Sequence, residues 1–434
     1  MSDRPGSISR RTVIGAMGAG AVAALATPGN SRADLPQPAP GTGSATLASD
    51  EAFWAEVATN YERTTGIVNL EQGYWGKMAK PVQDAYIDAT RMVNAQNSYY
   101  ARRQYPADAA ESIHRIATAL GVDEDEITLT RNATESLHAL IRQYRGLTAD
   151  DAVLYSDIDY PSFKKTMRWM AESNDARAVQ ISLPGRASPD QIYNVYRQAF
   201  DDNPDLKVML IMHASNQHGL VVPVARIAEE ARSRGIDVFC DCAQSWGLLD
   251  YKIPSLSVDW AVFNLHKWIG TPVGVGALYM RRGSLAKIAP YPGEEDPENT
   301  NIHARVHIAT SNFAAMLAIP DALDFHEAIG GANKEARLRY LRQLWTNEAE
   351  SMPHIELLGG SDEASWSGMG SFRVAGQASP QAVRALQLRL EEEFGVFTVV
   401  RYGLESGACI RVTPQVFLTP SDMEKLVDAL RALA

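Results

Sequence analysis

Short apolar segments alternate with amphipathic helical patterns through the middle of the chain. The apolar segments predicted as buried strands are Ala152–Tyr155, Ala178–Leu183, Lys207–Met212, Asp237–Asp241, Trp260–Phe263 and Gly276–Met280. Helical patterns lie between several of them, at Pro161–Glu172, Pro189–Phe200 and Pro223–Arg234. Strands that alternate with helices in this way form open, mostly parallel sheets. We therefore expect an α/β fold whose ligands bind beyond the carboxyl ends of the strands.

The sequence changes character after about residue 320. A long helical pattern at Asn333–Glu350 is followed by short strands, including Ala408–Val412, and by helical patterns at Pro380–Phe394 and Pro420–Leu433. These elements predict a smaller α+β domain over residues 321–434. An N-terminal segment and the large sheet domain would then occupy residues 51–320.

Residues 1–33 contain the three parts of an export signal in the usual order. Arg10 and Arg11 precede a weakly apolar Ala/Gly run, and small residues at Ser31 and Ala33 suit signal cleavage. The segment resembles a twin-arginine signal, which implies the twin-arginine (Tat) export machinery and a periplasmic or extracellular location. A disordered basic tail is the alternative. The apolar run is too short and too rich in glycine for permanent membrane insertion. Residues 34–50 predict a flexible linker.

Composition excludes several classes of function. The 434 residues are 45% apolar, enough to bury a large core. The net charge is −11 and no basic block stands outside the N-terminus, which disfavours binding to nucleic acid. Cys240, Cys242 and Cys409 lack the spacing of a zinc site, and three cysteines cannot form a complete disulfide framework. No metal is expected.

Lys267 stands between two apolar strands, in the stretch FNLHKWIGTPVGVG of residues 263–276. Most lysines are solvated surface charges, and an isolated one would be interpreted so. A lysine between two core strands is instead partly desolvated, and desolvation lowers the pKa of an amine. Such an amine can attack a carbonyl carbon and form a Schiff base.

Two further motifs supply groups that a carbonyl cofactor of this kind needs. Asp241 ends a predicted strand in FCDCAQSWG, where it could cap a helix or hold a pyridine nitrogen protonated. Asn132, Ala133 and Thr134 begin a helix in TLTRNATESLHAL. Free N–H groups and the helix dipole make this start a seat for phosphate, although a simple N-cap explains the sequence equally well.

Three more residues are candidates for ring and substrate contacts. Tyr160 follows a strand in SDIDYPSF, where its ring could stack on a cofactor or belong to the core. Asn216, in MHASNQHG, could bind a ring hydroxyl or form a turn. Arg411, in ACIRVTP, could bind a substrate carboxylate or form a structural ion pair.

Taken in order, the motifs ATES, DYPS, SNQHG, DCAQ, NLHK and IRVTP resemble the class V aminotransferase family. The resemblance covers about residues 66–434, and NLHKW resembles the isopenicillin N epimerase branch. It implies pyridoxal 5'-phosphate (PLP) as cofactor and fold type I, with helices on both faces of a mostly parallel sheet. It also implies a small amino-acid-type substrate and a homodimer with active sites at the subunit interface.

The resemblance carries roles over to matching positions. Lys267 would form the Schiff base with the cofactor and Asp241 would bind the ring nitrogen. The remaining roles are stacking on the ring for Tyr160, the ring hydroxyl for Gln244 and Asn216, the phosphate for Ala133, Thr134 and His266, and the substrate carboxylate for Arg411. Asn264 replaces a serine that often contacts the phosphate in relatives, and Thr310 would reach the phosphate of the other subunit.

The resemblance leaves the reaction open. Transamination and epimerisation are the expected chemistries, with β-elimination or a non-catalytic binding protein as alternatives. Desulfurase activity is disfavoured because VVRYGLESG lacks the cysteine that desulfurases use there, and Cys409 lies two residues from Arg411 on one strand face. Arg102 and Arg103 are candidates for a second carboxylate site.

Overall fold

The computed structural model describes residues 35–434 of the chain. The predicted twin-arginine signal of residues 1–33 lies outside the described residues. Within residues 35–434, none of the helices combines the length and apolarity that a membrane crossing needs.

Thirteen α-helices and fourteen strands build the described part of the chain. The helices are α1 Ser44–Leu47, α2 Glu51–Ala58, α3 Lys80–Arg103, α4 Tyr105–Leu120, α5 Ala133–Gln143, α6 Pro161–Glu172, α7 Pro189–Asp202, α8 Val224–Ser233, α9 Phe313–Leu317, α10 Ile319–Ile329, α11 Gly331–Ala349, α12 Pro380–Phe394 and α13 Pro420–Arg431. The strands are β1 Val68–Asn69, β2 Ile127–Thr130, β3 Ala152–Ser156, β4 Arg177–Ile181, β5 Arg186–Ala187, β6 Leu206–Met212, β7 Asp237–Asp241, β8 Trp260–Asn264, β9 Gly276–Met280, β10 Ile355–Gly360, β11 Gly370–Val374, β12 Val396–Phe397, β13 Val399–Arg401 and β14 Cys409–Val412.

The large sheet has seven strands in the order β2-β9-β8-β7-β6-β3-β4. Only β9 is antiparallel to its neighbours, so the prediction of a mostly parallel sheet is confirmed. Each predicted strand exists, although β4 is a largely exposed edge strand rather than a buried one. Strand β2 was not predicted, because its four residues, ITLT, alternate apolar side chains with two buried threonines and give no continuous apolar run.

Both faces of the large sheet are covered by helices. Alternate residues of a strand point to opposite faces, and neighbours such as Phe239 and Cys240 in β7 accordingly belong to two different cores. Helices α5 and α6 cover the core that contains Phe239, and α7 and α8 cover the core that contains Cys240. This coverage explains why the central strands are apolar throughout.

The C-terminal part forms a second sheet and core. Its five strands lie in the order β13-β14-β11-β10-β5, and the short strand β5 comes from the segment that follows β4. The N-terminal strand β1 pairs in parallel with β12, so the segment before the large sheet is joined to the C-terminal part. This pairing brings Glu71 beside Thr413.

Residues 35–50, predicted as a flexible linker, are instead packed against the body of the protein. Leu35 and Leu47 are buried in the larger core. The Ser44 hydroxyl donates to Oδ1 of Asn333 in α11 at 2.6 Å. The side chains of Leu35 and Leu47 anchor a stretch whose other residues are mostly small or polar. That composition is why the sequence predicted a flexible linker.

Gly276 allows β9 to approach the start of α5. A Cβ atom on Gly276 would lie 2.7 Å from Cα of Asn132 and 2.8 Å from the carbonyl oxygen of Phe263, and both are backbone atoms that cannot move alone. We expect Gly276→Ala to lower the free energy of unfolding by about 1–3 kcal/mol, measured by urea denaturation. Gly43→Ala is the control, because a Cβ there meets no atom within 4 Å. Equal unfolding free energies for the two variants would contradict the close approach.

Candidate active site

A cavity of about 660 Å³ opens at the carboxyl ends of the central strands, beside the start of α5. Parallel strands end at the same edge of a sheet, so this edge gathers residues from distant parts of the sequence. The predicted site residues that line the cavity are Ala133, Thr134, Tyr160, Asn216, Asp241, Gln244, Asn264, His266 and Lys267. The structure therefore brings most of the predicted site together.

Asp241 is buried and Lys267 is half-buried, and the two ionisable groups influence each other. Burial raises the pKa of the Asp241 carboxyl to about 6, against the opposing effects of the Ala243 N–H, which donates to Oδ1 at 2.9 Å, and of Lys267. Burial lowers the pKa of Lys267 to about 8, against the attraction of Asp241. About a tenth of the Lys267 amine is therefore uncharged and nucleophilic at pH 7, far more than for a solvated lysine.

The loop that carries Lys267 is held by a second segment of the chain. The N–H of Gly76 donates to the carbonyl oxygen of His266 at 2.8 Å, and a Cβ on Gly76 would lie only 1.9 Å from the carbonyl oxygen of Lys267. From the other side, the Lys334 amine donates to the carbonyl oxygen of Trp268. Glycine at position 76 is thus required for this contact.

Gln244 bridges the same two segments. Its Nε2 donates to the carbonyl oxygen of Gly73 at 2.9 Å, and its Oε1 accepts from the Trp268 indole N–H at 2.9 Å. The carboxamide oxygen predicted to contact a ring hydroxyl is therefore occupied by protein. Gln244 lines the cavity, but these bonds give it a positioning role.

The start of α5 offers fewer free groups than the sequence predicts. Asn132 caps the helix by accepting from the N–H of Glu135 at 2.8 Å, and Oδ1 of Asn264 accepts from the N–H of Ala133 at 2.8 Å. Within the described chain, the first-turn N–H that no protein group takes is that of Thr134. The predicted phosphate contact through the Ala133 N–H is thus blocked by Asn264, whose amide lines the cavity.

His266 presents one ring nitrogen to the cavity. Its Nδ1 lies 2.8 Å from the carbonyl oxygen of Val275, which can only accept, so Nδ1 carries the proton. Burial lowers the pKa of His266 to about 4, which keeps the ring neutral and leaves Nε2 as an acceptor. An anion bound nearby would raise this pKa.

Asn216 is buried, whereas Tyr160 is partly exposed to solvent. Oδ1 of Asn216 is buried without a partner among the described residues, an arrangement that costs free energy unless a ligand donates to it. Tyr160 is 40% exposed at the rim of the cavity, with its ring edge-to-face against Phe163 at 5.2 Å.

Arg411 does not line the cavity, contrary to its predicted role as substrate ligand. It is fully buried, and one of its terminal nitrogens donates to both carboxylate oxygens of Glu71 at 2.6 and 2.8 Å. The other donates to the carbonyl oxygen of Asn216 at 2.6 Å. The structural ion pair, which the sequence left as an alternative, is therefore present. Glu71 and Arg411 lie 340 positions apart in the sequence and come together only in the folded chain.

Arg401 lines the cavity instead and was missed by sequence reasoning. Its Nε is buried without a partner among the described residues, and its nearest contact with Glu71 is 3.5 Å. Burial and the neighbouring Arg411 lower the pKa of Arg401 to about 10. The feature that could have indicated Arg401 is its position in VVRYGLESG, ten residues before Arg411 and on the adjacent strand.

The other predicted positions lie away from the cavity lining. Thr310 is exposed, and so are Arg102 and Arg103 at the end of α3. Cys409 is buried, and burial raises the pKa of its thiol to about 11, so the thiol stays protonated.

Comparisons with known proteins agree with this geometry. The model of the family described as aminotransferase class-V matches residues 78–406. The isopenicillin N epimerase of Amycolatopsis lactamdurans is 24% identical over 88% of this chain and 98% of its own. The cysteine desulfurase of Haloferax volcanii is 26% identical over 85% of this chain and 90% of its own.

Solved structures share the fold. A mutant of C-DES with glycine covalently linked to its PLP cofactor superimposes with a TM-score of 0.72 at 21% identity, over 84% of this chain and 96% of that one. The cysteine desulfurase CsdA of Escherichia coli gives a TM-score of 0.73 at 20% identity, over 88% of this chain and 98% of that one. The fold is therefore that of the PLP-dependent fold type I enzymes.

Lys267→Met should stabilise the cofactor-free protein. A lysine whose pKa falls from 10.5 to about 8 on folding disfavours the folded state below pH 8, and this cost disappears as pH rises from about 8 to 10.5. We expect the variant to gain about 1–3 kcal/mol in unfolding free energy at neutral pH, and less above pH 10. Urea denaturation at several pH values measures the difference. A variant less stable than the wild type at neutral pH would show that the amine is not held at a cost.

Proposed function

We propose that this chain, which belongs to the aminotransferase class-V family, is a PLP enzyme that acts at the Cα–H bond of an amino acid or an amino-acid-bearing metabolite, by transamination or epimerisation. The observation that carries the proposal is the half-buried Lys267, whose pKa is lowered, in one cavity with the buried Asp241 and the start of α5. Binding alone would need neither the nucleophilic amine nor the buried acid.

The lining residues fit each polar part of PLP. Thr134, whose N–H is the one in the first turn of α5 that no described residue accepts, and the Asn264 amide are suited to hold the phosphate, and His266 would donate to it once the anion raises its pKa enough to protonate Nε2. The unpartnered Oδ1 of Asn216 is an acceptor suited to the ring hydroxyl. The Asp241 carboxylate is suited to accept from a protonated ring nitrogen.

The chain supplies the proton transfers. When bound, PLP supplies an aldehyde that bonds covalently to amines and a ring that withdraws electrons from Cα. Lys267 would bind that aldehyde in the resting enzyme, and its free amine would take the Cα proton at Nζ when a substrate amine holds the aldehyde instead. A pKa of about 8 suits this work, because the amine is uncharged in part at neutral pH and still basic enough to accept a proton. Asp241 keeps the ring nitrogen protonated throughout.

Arg401 is the cation best placed for the substrate carboxylate. It lines the cavity and its contact with Glu71 is long at 3.5 Å, whereas Arg411 is held by Glu71 at 2.6 and 2.8 Å and by the carbonyl oxygen of Asn216 at 2.6 Å. A desolvated guanidinium binds carboxylate through paired N–H donors. We assign the predicted role of Arg411 to Arg401.

β-Elimination is the alternative chemistry, because the relatives include cysteine desulfurases as well as isopenicillin N epimerases. The protonated and buried thiol of Cys409 does not support a sulfur-accepting step. A non-catalytic binding protein is disfavoured by the retention of both Lys267 and Asp241.

Location and assembly are part of the proposal. The sequence of residues 1–33 supports export by the Tat machinery to the periplasm or beyond. The exposed side chains of Tyr74, Trp75 and Val273, 69%, 50% and 62% accessible, stand at the cavity and support a homodimer that covers them. In such a dimer Thr310 would face the partner's site.

Exchange at Cα tests the reaction directly. PLP-loaded protein is incubated with single amino acids in deuterium oxide, and products are analysed by mass spectrometry and chiral chromatography. We expect deuterium at Cα of at least one substrate, with a keto acid for transamination or the opposite enantiomer for epimerisation. Lys267→Ala should slow the exchange by about 10²–10⁴-fold, whereas Lys80→Ala, at the exposed start of α3, should not. No exchange with any amino acid or amino-acid-bearing metabolite tried would contradict the proposal.

Arg401→Gln and Arg411→Gln should have different effects. Arg401→Gln should raise KM for the amino-acid substrate about 10- to 100-fold with little change in stability, because it removes a charge-assisted bond to the ligand. Arg411→Gln should lower the unfolding free energy by about 3–5 kcal/mol, because it leaves the Glu71 carboxylate with its long 3.5 Å contact to Arg401 as its only ion pair among the described residues. Steady-state kinetics and urea denaturation measure the two effects. A raised KM for Arg411→Gln together with a lowered unfolding free energy for Arg401→Gln would instead assign the carboxylate site to Arg411.

A further inference from the structure

Arg342 in α11 is a buried arginine without an anionic partner. It is 7% exposed, and its Nε is buried with no hydrogen-bond partner among the described residues. Its guanidinium lies over the ring of Trp366, 4.4 Å from the centroid. A stacked ring attracts a cation but supplies neither a negative charge nor an acceptor for its N–H groups.

The other buried arginines of the described chain have partners of a kind that Arg342 lacks. Arg337 pairs with Glu51, Arg373 with Glu356 and Arg411 with Glu71, while Arg305 donates to several carbonyl oxygens. Burying a guanidinium is costly unless it is paired and its donors are satisfied. The Nε atoms of Arg337 and Arg411 also lack a partner, but Arg342 is the one buried arginine among the described residues whose side chain makes neither an ion pair nor a hydrogen bond.

The charges near Arg342 do not compensate it. Arg186 and Glu350 pair with each other at 2.7 Å, and Arg339 pairs with Glu335 at 2.8 Å. Burial, with Arg186 and Arg339 nearby, lowers the pKa of Arg342 to about 9. One uncompensated positive charge therefore stays at this place in the fold.

A cavity of about 340 Å³ adjoins Arg342. Gln343 and Asn347 contribute amide groups to its wall, Leu357 with Trp366 contributes an apolar side, and the carboxylate of Glu350, held by Arg186, also lines it. The cavity lies where α11 and β10 meet Arg186 of β5, away from the residues that line the active site. Its size suits a small organic molecule rather than a chain of protein.

We propose that this cavity is a second binding site, for a small oxyanion that pairs with Arg342. A carboxylate or phosphate group would accept from the guanidinium fork, with the amides of Gln343 and Asn347 as further donors. The apolar wall would receive a hydrocarbon or aromatic portion of the ligand. The proposal is independent of the reaction at Lys267.

Titration of PLP-loaded protein with defined probes tests the site, since the cofactor fills the phosphate seat at α5. The probes are benzoate, inorganic phosphate and, as an uncharged analogue, benzamide. We expect benzoate or phosphate to raise the thermal unfolding midpoint saturably, by about 2–5 °C, with matching heats in isothermal titration calorimetry. Benzamide should leave the midpoint unchanged. A benzoate response distinguishes a carboxylate ligand from a phosphate ligand.

Two variants assign the response to Arg342. Arg342→Leu should abolish the rise, and it should unfold at or above the wild-type midpoint in anion-free buffer because an unpaired buried charge is removed. Arg339→Gln is the matched control, since Arg339 also lies over Trp366 but has its own carboxylate partner. It should keep the rise. If the leucine variant does not fold, Arg342→Lys should weaken binding about 10-fold, because it loses the planar fork.

Two results would overturn the proposal. One is the absence of a saturable rise with either anion in the wild-type protein. The other is an equal rise in the wild-type protein and in the Arg342 variant.

Discussion

The amine of Lys267 and the carboxyl of Asp241 have to share a site from which water is largely excluded, and much of the structure serves that arrangement. Burial alone makes each charge costly, which is why the pKa of the acid rises to about 6 and that of the amine falls to about 8. Their mutual attraction keeps both shifts moderate. The parallel sheet provides the place, since β7 ends at Asp241 and the loop after β8 carries Lys267 to the same edge. Gly76 of the N-terminal segment then bonds to that loop, and Gln244 joins the loop to Gly73 of the same segment.

The two arginines near the site have different roles: Arg411 stabilises the fold, and Arg401 is available to bind a ligand. Arg411 ties Glu71 of the N-terminal segment to the C-terminal sheet and lies outside the cavity lining. Arg401 lines the cavity, has an unpaired Nε and contacts Glu71 only at 3.5 Å. A guanidinium held closely by a carboxylate stabilises the fold, and one held loosely or not at all is available to a ligand. The same distinction separates the paired Arg339 from the unpaired Arg342.

The sequence predicted the elements whose signal is local. Apolar runs ended by polar residues gave the central strands, and Asp241 and Lys267 followed from their positions at strand ends. What could not be predicted depends on partners far apart in the chain. Nothing near Arg411 in sequence indicates Glu71, which lies 340 positions away. In the same way, the bonds that occupy Gln244 come from Gly73 and Trp268, so its role could be read only from the folded chain.

The central claim is that the amine of Lys267 carries the cofactor. Borohydride reduction of the PLP-loaded protein, followed by proteolysis and mass spectrometry, measures this directly. The account predicts a pyridoxyl modification on the peptide that contains Lys267, and none on the peptide that contains the buried Lys334. A modification found only at another lysine, or none at all in folded and cofactor-saturated protein, would contradict it.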